Sequence, residues 1–404
     1  MSRPLRVTLT IFVFLGLLYV YVGTKLFYAF QSNFDLPSHQ VKWSIIGGIF
    51  FLNLYPILLF VFYITGLRKV AETAANGSKV WDVLFGYAFW AGLLVVFEVT
   101  PLLLTMDFLK LPFYPFYNKF KLIWLAIEHR LVLGFFLVRG SYVFIKILVD
   151  TNRIRVSKTL LTYKSLPFAL DGLKIVHISD LHASPRTGKR RVMRYIKKVN
   201  KLQPDVIFFT GDLVGSDLKF AEAASQWLSK LTAKEGIYAC LGDHDINQSS
   251  HKVRQSLQKN GIMLLEDRNQ FIPLGNESLL VTVLTNVSGK RPNLDKVNFL
   301  MGQQPRGVLD FLVTHQPTES IVELAAERGY HIFLAGHTHG GQIVPQIFGI
   351  TFSAARFETQ YYRGSSHLER MLVNINNGLG FSLAPIRYNA PAEVSLIKII
   401  RQPG

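Results

Sequence analysis

The sequence predicts an all-α, four-helix transmembrane domain over residues 1–150 followed by an α/β domain over residues 151–404. Three observations carry this reading. The chain has 404 residues, more than the roughly 100–200 of a single domain. Four apolar stretches crowd into the first 150 residues. From about residue 151, short β-rich runs alternate with polar, helix-compatible segments, as in α/β domains. Composition agrees, since 49% of residues are hydrophobic and only 18% are charged, more apolar than a typical soluble protein.

The apolar stretches cover about 7–30, 43–66, 81–105 and 122–148, each long enough for the roughly 20 helical residues that cross a bilayer core. The first has the basic start "MSRPLR", as a signal peptide would. Its apolar run is too long for that, no small-residue cleavage site follows, and three more stretches come after it. Lysines and arginines in short connections set orientation. Arg3, Arg6, Arg68, Lys69, Lys79, Arg153, Arg155 and Lys158 fall on one side, and Lys42, Lys110, Lys119 and Lys121 on the other. The first side is expected to be cytoplasmic, which makes this a multi-pass protein of the cell (inner) membrane with a cytoplasmic C-terminal domain. Charges inside apolar helices are costly and need partners. Glu98 and Arg130 sit at similar depth in an antiparallel pair, so a Glu98–Arg130 contact is expected, with snorkelling of both to the headgroups as the alternative.

In the second domain, strands are expected at "LKIVHI", "DVIFF", "GIYACL", "SLLVTVL", "VLDFLVT", "HIFLA", "MLVNI" and "EVSLIKI". Helices are expected near 189–202, 218–231, 250–260 and 318–328. The single cysteine, Cys240, excludes an intramolecular disulfide framework and a cysteine zinc cluster. The net charge of +17 favours anionic headgroups, nucleic acid or phosphorylated substrates without choosing among them.

The residues just past each strand point to chemistry. "KIVHIS" leads to Asp180 and His182, "VIFFTG" to Asp212, "IYACLG" to Asp243 and His244, "FLVT" to His315, and "HIFLAG" to His337 and His339. Ligands of open α/β sheets gather at the carboxyl ends of strands. On extended backbone, the i, i+2 spacing of Asp180 and His182 sends both side chains to one face, where they can grip one ion. His337 and His339 lie in a turn that Gly336, Gly340 and Gly341 can bend, so each imidazole can take a different ion. Asp212 has two oxygens and can bridge. Two metals about 3.5–4 Å apart can hold both oxygens of a displacement at phosphorus. Imidazole and carboxylate without thiolate suit manganese, iron or zinc. His177 and His331 lie within apolar runs and read as hydrogen-bonded structural groups.

The motifs "SDLH", "TGDLV", "LGDHD", "THQP" and "GHTHGGQ", in this order, resemble the calcineurin-like metallophosphoesterases, above all their bacterial membrane-linked branch, whose tail is similar to "NNGLGFSLAPIRYNAPAEVSLIKI". The resemblance covers the C-terminal domain and leaves the apolar stretches unexplained. It implies a four-layer αββα sandwich of two packed β-sheets with helices outside. By position it implies that Asp180, His182 and His339 hold a first metal, that Asp243, His315 and His337 hold a second, and that Asp212 bridges them. His244 matches the histidine that contacts the phosphate and assists the leaving group.

Two departures stand out. The family usually has Asn at the position of Asp243, so this site carries one more negative charge, which should hold metal more tightly and attract an anionic phosphate less. Arg186 or Lys189 can compensate. The acid that often orients the catalytic histidine falls at Gly215, leaving Asp245 or Asp217 as candidates for that role.

The basic stretch "GKRRVMRYIKKVNK" puts Arg190, Arg194, Lys197 and Lys201 on one helix face, to lean on anionic headgroups or to meet solvent. No stacking aromatics interleave, so a nucleic-acid partner is not expected. The expected function is membrane-anchored, dinuclear-metal hydrolysis of a phosphoester or pyrophosphate bond, on a lipid-linked or membrane-proximal substrate. The alternatives are a pyrophosphatase of nucleotide-linked lipids (UDP-diacylglucosamine type), a phosphodiesterase of soluble nucleotides, and a metal-stabilised interaction module without turnover.

Overall fold

A computed structural model of the chain describes residues 3–75, 77–164, 166–215, 217–287, 290–291, 293–302 and 307–402, with side chains from residue 13 onward. Two units are present, one comprising residues 1–75, 80–149 and 345–352, the other residues 76–79, 150–344 and 353–404.

The helical unit contains α1 (Arg3–Asn33), α2 (Ser38–Leu52), α3 (Leu54–Ile64) and α4 (Arg68–Ala75). An almost unbroken helical run follows, of α5 (Lys79–Trp81), a π turn (Asp82–Gly86), α6 (Tyr87–Lys110), a 3-10 turn (Leu111–Phe116) and α7 (Tyr117–Asn152). By length and composition, candidate membrane spans are Val13–Asn33, the Lys79–Asn152 run, and α2 with α3 as a bent pair. The expected second span, 43–66, is therefore not straight; it bends by 58° at Asn53. Pro56 explains the break, because its ring clashes with the carbonyl four residues back, at Leu52, and it has no N–H to donate there.

The Lys79–Asn152 run doubles back on itself. Lys110 Nζ lies 2.5 Å from Glu128 Oε2, although 18 residues of straight helix would separate the two by about 27 Å. The prolines of the Leu111–Phe116 turn make the reversal. The same antiparallel register brings Arg139 Nε to 3.0 Å from Glu98 Oε2. The expected Glu98–Arg130 contact is thus corrected to Glu98–Arg139. Arg130 is exposed and, in this register, level with Asp107. A second polar group lies nearer the turn, where Lys25 Nζ meets Asp107 Oδ1 at 2.5 Å and Glu128 Oε1 at 2.7 Å.

The other unit is built on β1 (Ile154–Tyr163), β2 (Lys174–Ile178), α8 (Lys189–Asn200), β3 (Val206–Phe209), α9 (Ala221–Leu228), β4 (Ile237–Ala239), α10 (Asp243–Lys259), β5 (Met263–Leu264), β6 (Arg268–Leu274), β7 (Glu277–Leu284), α11 (Leu294–Gly302), β8 (Leu309–Thr314), α12 (Glu319–Glu327), β9 (Ile332–Ala335), β12 (Gly364–Leu368), β13 (Met371–Ile375) and β14 (Ala392–Arg401). Two short strands, β10 (Gln346–Ile347) and β11 (Ile350–Thr351), pair with each other in the segment assigned to the helical unit. One sheet has the order β1-β14-β2-β3-β4-β5, the other β12-β13-β9-β8-β7-β6.

The four layers follow from period-2 alternation along the strands. Ile175 and Phe208 point between the sheets, where they share a core with Val281, Phe311, Ile332 and Leu372. The Phe208 and Phe311 rings stack across this interface with centroids 5.6 Å apart. The intervening Val176, Ile178, Ile207 and Phe209 point the other way, against Val192, Ile196 and Val199 of α8. On the far side, Leu312, Phe333 and Val373 pack under Val322 and Ala325 of α12. The result is helices, sheet, sheet, helices, as the resemblance implied. In α8 the basic side chains stand on the outer face; Arg191 Nη1 and Arg194 Nη2 donate to the carbonyls of Thr151 and Asn152, at 2.7 and 2.9 Å.

Candidate metal centre

β2, β3 and β4 are neighbouring parallel strands of one sheet, and β8 and β9 of the other. Their carboxyl ends deliver all eight residues expected at the site. Four combinations of these side chains each present ligand atoms within 4.8 Å of one another: Asp180, His182 and His339; His182, Asp212 and His244; Asp243, His315 and His337; Asp180, Asp212 and His315.

The means of convergence differs from the expected one. Asp180 and His182 do not share a face of extended backbone. Both are in the left-handed region, with φ of 50° and 44°, as are Asp212 (57°), His337 (71°) and His339 (52°). Asp and His tolerate this region better than most residues, yet each such position costs of order 1–2 kcal/mol. The turn after each strand is thus bent to aim a side chain, and surrounding hydrogen bonds hold it. The N–H of Asp180 donates to Gly211 O at 2.9 Å, that of His182 to Asp212 O at 3.0 Å, and that of His337 to Asp180 Oδ2 at 3.0 Å. Two glycines permit the close approach. A Cβ on Gly242 would collide with Asp212 Oδ1, and one on Gly336 with Ser179 Oγ and Asp180 Oδ2.

Asp212 Oδ2 lies 3.3 Å from His182 Nε2 and 3.5 Å from His315 Nε2, so one oxygen serves both halves of the site. In the first half, His339 Nε2 is 2.9 Å from His182 Nε2 and 3.5 Å from Asp180 Oδ1. In the second, Asp243 Oδ1 is 3.0 Å from both His315 Nε2 and His337 Nδ1. Separations of this size match ligands about 2.0–2.2 Å from a shared cation.

Outer contacts select the tautomers. The His315 Nδ1–H donates to Thr210 O at 2.6 Å, which turns Nε2 toward the site. His337 does the reverse, its Nε2–H donating to Glu358 Oε1 at 2.9 Å and its Nδ1 facing inward. Metal-binding imidazoles are oriented in this way. Gln316 donates to the same Glu358 oxygen.

Electrostatics splits the pocket. Burial pushes His182 down to about 4 and His339 well below its ordinary value, so both present lone pairs. Burial also pushes Asp180 up to about 6. In the other half burial works against charge, but Asp212 and Asp243 outweigh it and raise His315 well above the usual range, and Asp243 and Glu358 raise His337 to about 9. Asp243 is lowered in return by its hydrogen bonds to His315 and His337, against its burial. Three clustered carboxylates with inward lone pairs call for positive charge between them, and two divalent ions fit that need.

His244 donates its N–H to Asp212 Oδ1 at 3.0 Å and stands edge-on to the His182 ring, centroids 4.8 Å apart. Neither acid expected to orient it does so. Asp245 is fully buried and accepts from the N–H groups of Leu213, Val214 and Gly242, fixing the turns that carry Asp212 and Asp243. Burial, with Asp212 nearby, pushes it up to about 7. Asp217 pairs with Lys219. His177 and His331 are structural, as read. The His177 ring is bonded to Asn374 Oδ1 (2.6 Å) and Thr210 Oγ1 (2.9 Å), and His331 Nδ1 accepts from the Asp310 N–H (3.1 Å).

Sequence reasoning missed Glu358, Gln316 and Arg387. Arg387 is fully buried, and its guanidinium donates to the carbonyls of Asn377, Gly378, Gly380 and Ala390, locking the tail segment beside His339. Burial lowers it to about 10.

Residues 173–341 match the family model described as "Calcineurin-like phosphoesterase". A zebrafish (Danio rerio) "Transmembrane protein with metallophosphoesterase domain" is 28% identical over 245 residues, 58% of this chain and 54% of that protein. A "Putative metallophosphoesterase" of Caenorhabditis elegans is 26% identical over 66% of this chain and 55% of its own length. An "Uncharacterized metallophosphoesterase" of Bacillus subtilis is 26% identical over 64% of this chain and 90% of its own. The chain thus spans about half the length of the first two relatives.

Proposed function

We propose, for a chain whose C-terminal domain belongs to the calcineurin-like metallophosphoesterase superfamily, that it is a membrane-anchored, metal-dependent hydrolase of a phosphoester or pyrophosphate bond. Its substrate is lipid-linked or presented at the membrane surface. The single observation that carries the activity is the convergence on Asp212 Oδ2 of histidines from two sheets. Asp180, His182 and His339 hold one divalent ion, Asp243, His315 and His337 the other, and Asp212 bridges; manganese, iron or zinc suits this donor set. When bound, such a pair neutralises phosphoryl charge and activates a water. His244, half-buried at the edge of this cluster, faces the phosphoryl group and assists the leaving oxygen.

The candidate spans number up to three by length and composition, and the proposed four crossings count the doubled-back Lys79–Asn152 run as two, α6 and α7, beside α1 and the bent α2–α3 pair. The basic residues of the connections favour a cytoplasmic catalytic domain in a cell (inner) membrane. Two relatives bear the words "transmembrane protein" in their names, in keeping with this reading.

The full chain, purified in detergent and supplied with manganese, is given bis-p-nitrophenyl phosphate and, separately, a total lipid extract, with products identified by mass. Metal-dependent release of a phosphorylated or dephosphorylated lipid supports the proposal. Turnover of bis-p-nitrophenyl phosphate without any lipid product points to the phosphodiesterase alternative, and no turnover of either substrate at saturating metal points to a binding module.

A further inference from the structure

Residues 343–355, "IVPQIFGITFSAA", carry no charged side chain, and the part from Pro345 to Phe352 belongs to the helical unit. There it forms the β10–β11 hairpin, with Gln346 opposite Thr351 and Ile347 opposite Ile350. Phe348 and Gly349 make the turn, with φ of 49° and 81°.

The base of this hairpin is held by the ion pair between α6 and α7. The Gln346 N–H donates to Glu98 Oε1 at 3.3 Å, and the Gln346 carbonyl accepts from Arg139 Nη2 at 3.0 Å. The Phe352 N–H donates to the Pro345 carbonyl at 2.9 Å, and the Phe352 ring stands edge-on to Phe97. The Glu98 side chain is wholly buried. A buried ion pair is costly unless its remaining polar atoms are satisfied, and a strand end in hydrocarbon is costly unless its backbone groups are paired. Each meets the other's requirement here.

Beside the exposed amide of Gln346, the other exposed side chains of the hairpin, Phe348, Ile350 and Phe352, are apolar. Phe348 is 66% exposed and Ile350 60%, comparable with Leu137 (72%) and Val138 (69%) of the apolar helix α7. A charge-free hairpin with paired backbone and bare apolar side chains, held against two apolar helices, suits hydrocarbon rather than water.

We propose that the Pro345–Phe352 hairpin is a membrane-embedded element, pinned by Glu98 and Arg139, whose Phe348 and Ile350 contact lipid acyl chains. This rests on the membrane reading above. In sequence the hairpin follows the turn bearing His337 and His339 after only Gly340 to Val344.

Site-directed spin labelling of the full chain in phosphatidylethanolamine–phosphatidylglycerol vesicles tests this. Cys240 is buried and its thiol pushed up to about 12 by burial, so it stays unlabelled. Nitroxides on Phe348→Cys and Ile350→Cys should collide more often with oxygen than with a water-soluble nickel chelate, as should a control on Leu137→Cys. A control on Lys219→Cys should show the opposite. Nickel preference at 348 and 350 with oxygen preference at 137 overturns the inference and leaves the anchored hydrolase standing. Nickel preference at all three overturns the membrane reading itself. Dipolar broadening between labels at 348 shows a second copy of the chain as the occupant and also overturns the inference. If Phe348→Cys expresses poorly, Ile350→Cys gives the same readout.

Discussion

His337 is held between two carboxylates, Nδ1 at 3.0 Å from Asp243 Oδ1 and Nε2 at 2.9 Å from Glu358 Oε1. Only the first of these acids was marked as part of the site by sequence. Glu358 fixes the tautomer that turns Nδ1 inward, as the outer partners of metal-binding imidazoles do.

Glu358→Ala should therefore weaken metal binding at the second position by about 10–100-fold while leaving the first position filled. Metal titration by calorimetry separates the two sites. Equal affinity at both positions in variant and parent would show that Glu358 is a bystander.

Asp243→Asn removes one negative charge from the second position but keeps an oxygen donor. Affinity for the second ion should fall, and hydrolysis at saturating metal should persist. Complete loss of turnover with both ions bound would contradict this.

Gly242→Ala should displace Asp212, because the added methyl meets its Oδ1. Loss of both metals with a normal circular dichroism spectrum is the expected result. Normal metal stoichiometry would show that the turn yields more easily than its packing implies.

The fully buried His177 ring gives a pH dependence unrelated to metal. Burial lowers it to about 4, against 6.5 in the unfolded chain. The unfolded state binds a proton below about 6.5 that the folded state refuses until about 4, so this contribution is intact above 6.5 and lost as pH falls through that window. Between pH 7.5 and 5 it amounts to about 2 kcal/mol. Urea unfolding of the parent and of His177→Gln should show a slope difference of that order, and parallel pH profiles would refute it.

In the helical unit, Arg139→Ala, which leaves the wholly buried Glu98 carboxylate without its cation, should lower stability by roughly 3–5 kcal/mol, whereas Arg130→Gln should change it by less than about 0.5 kcal/mol. Thermal unfolding in detergent gives both values. A larger effect at Arg130 than at Arg139 would undo the register derived from Lys110 and Glu128.

Much of the fold was legible. Central strands such as Val206–Phe209 are apolar on both faces because both are covered, and their ends carry the candidate ligand residues in order. Strands at sheet edges were not legible. Ile154–Tyr163 alternates with polar residues and is mostly uncovered, so it was not among the expected strands. Asp180 and His182 were rightly grouped but for the wrong backbone reason, since periodicity says nothing about left-handed turns. Glu358 lies in a stretch without periodicity, and only the folded chain brings it to His337. The partner of Glu98 depends on where the chain reverses between α6 and α7, which hydropathy places only to within a turn or two of helix.

Five of the proposed ligand positions, Asp180, His182, Asp212, His337 and His339, adopt backbone angles that glycine would occupy at less cost. Under the proposed function that cost has a use: a glycine at any of the five would relax its turn and remove the side chain the turn aims.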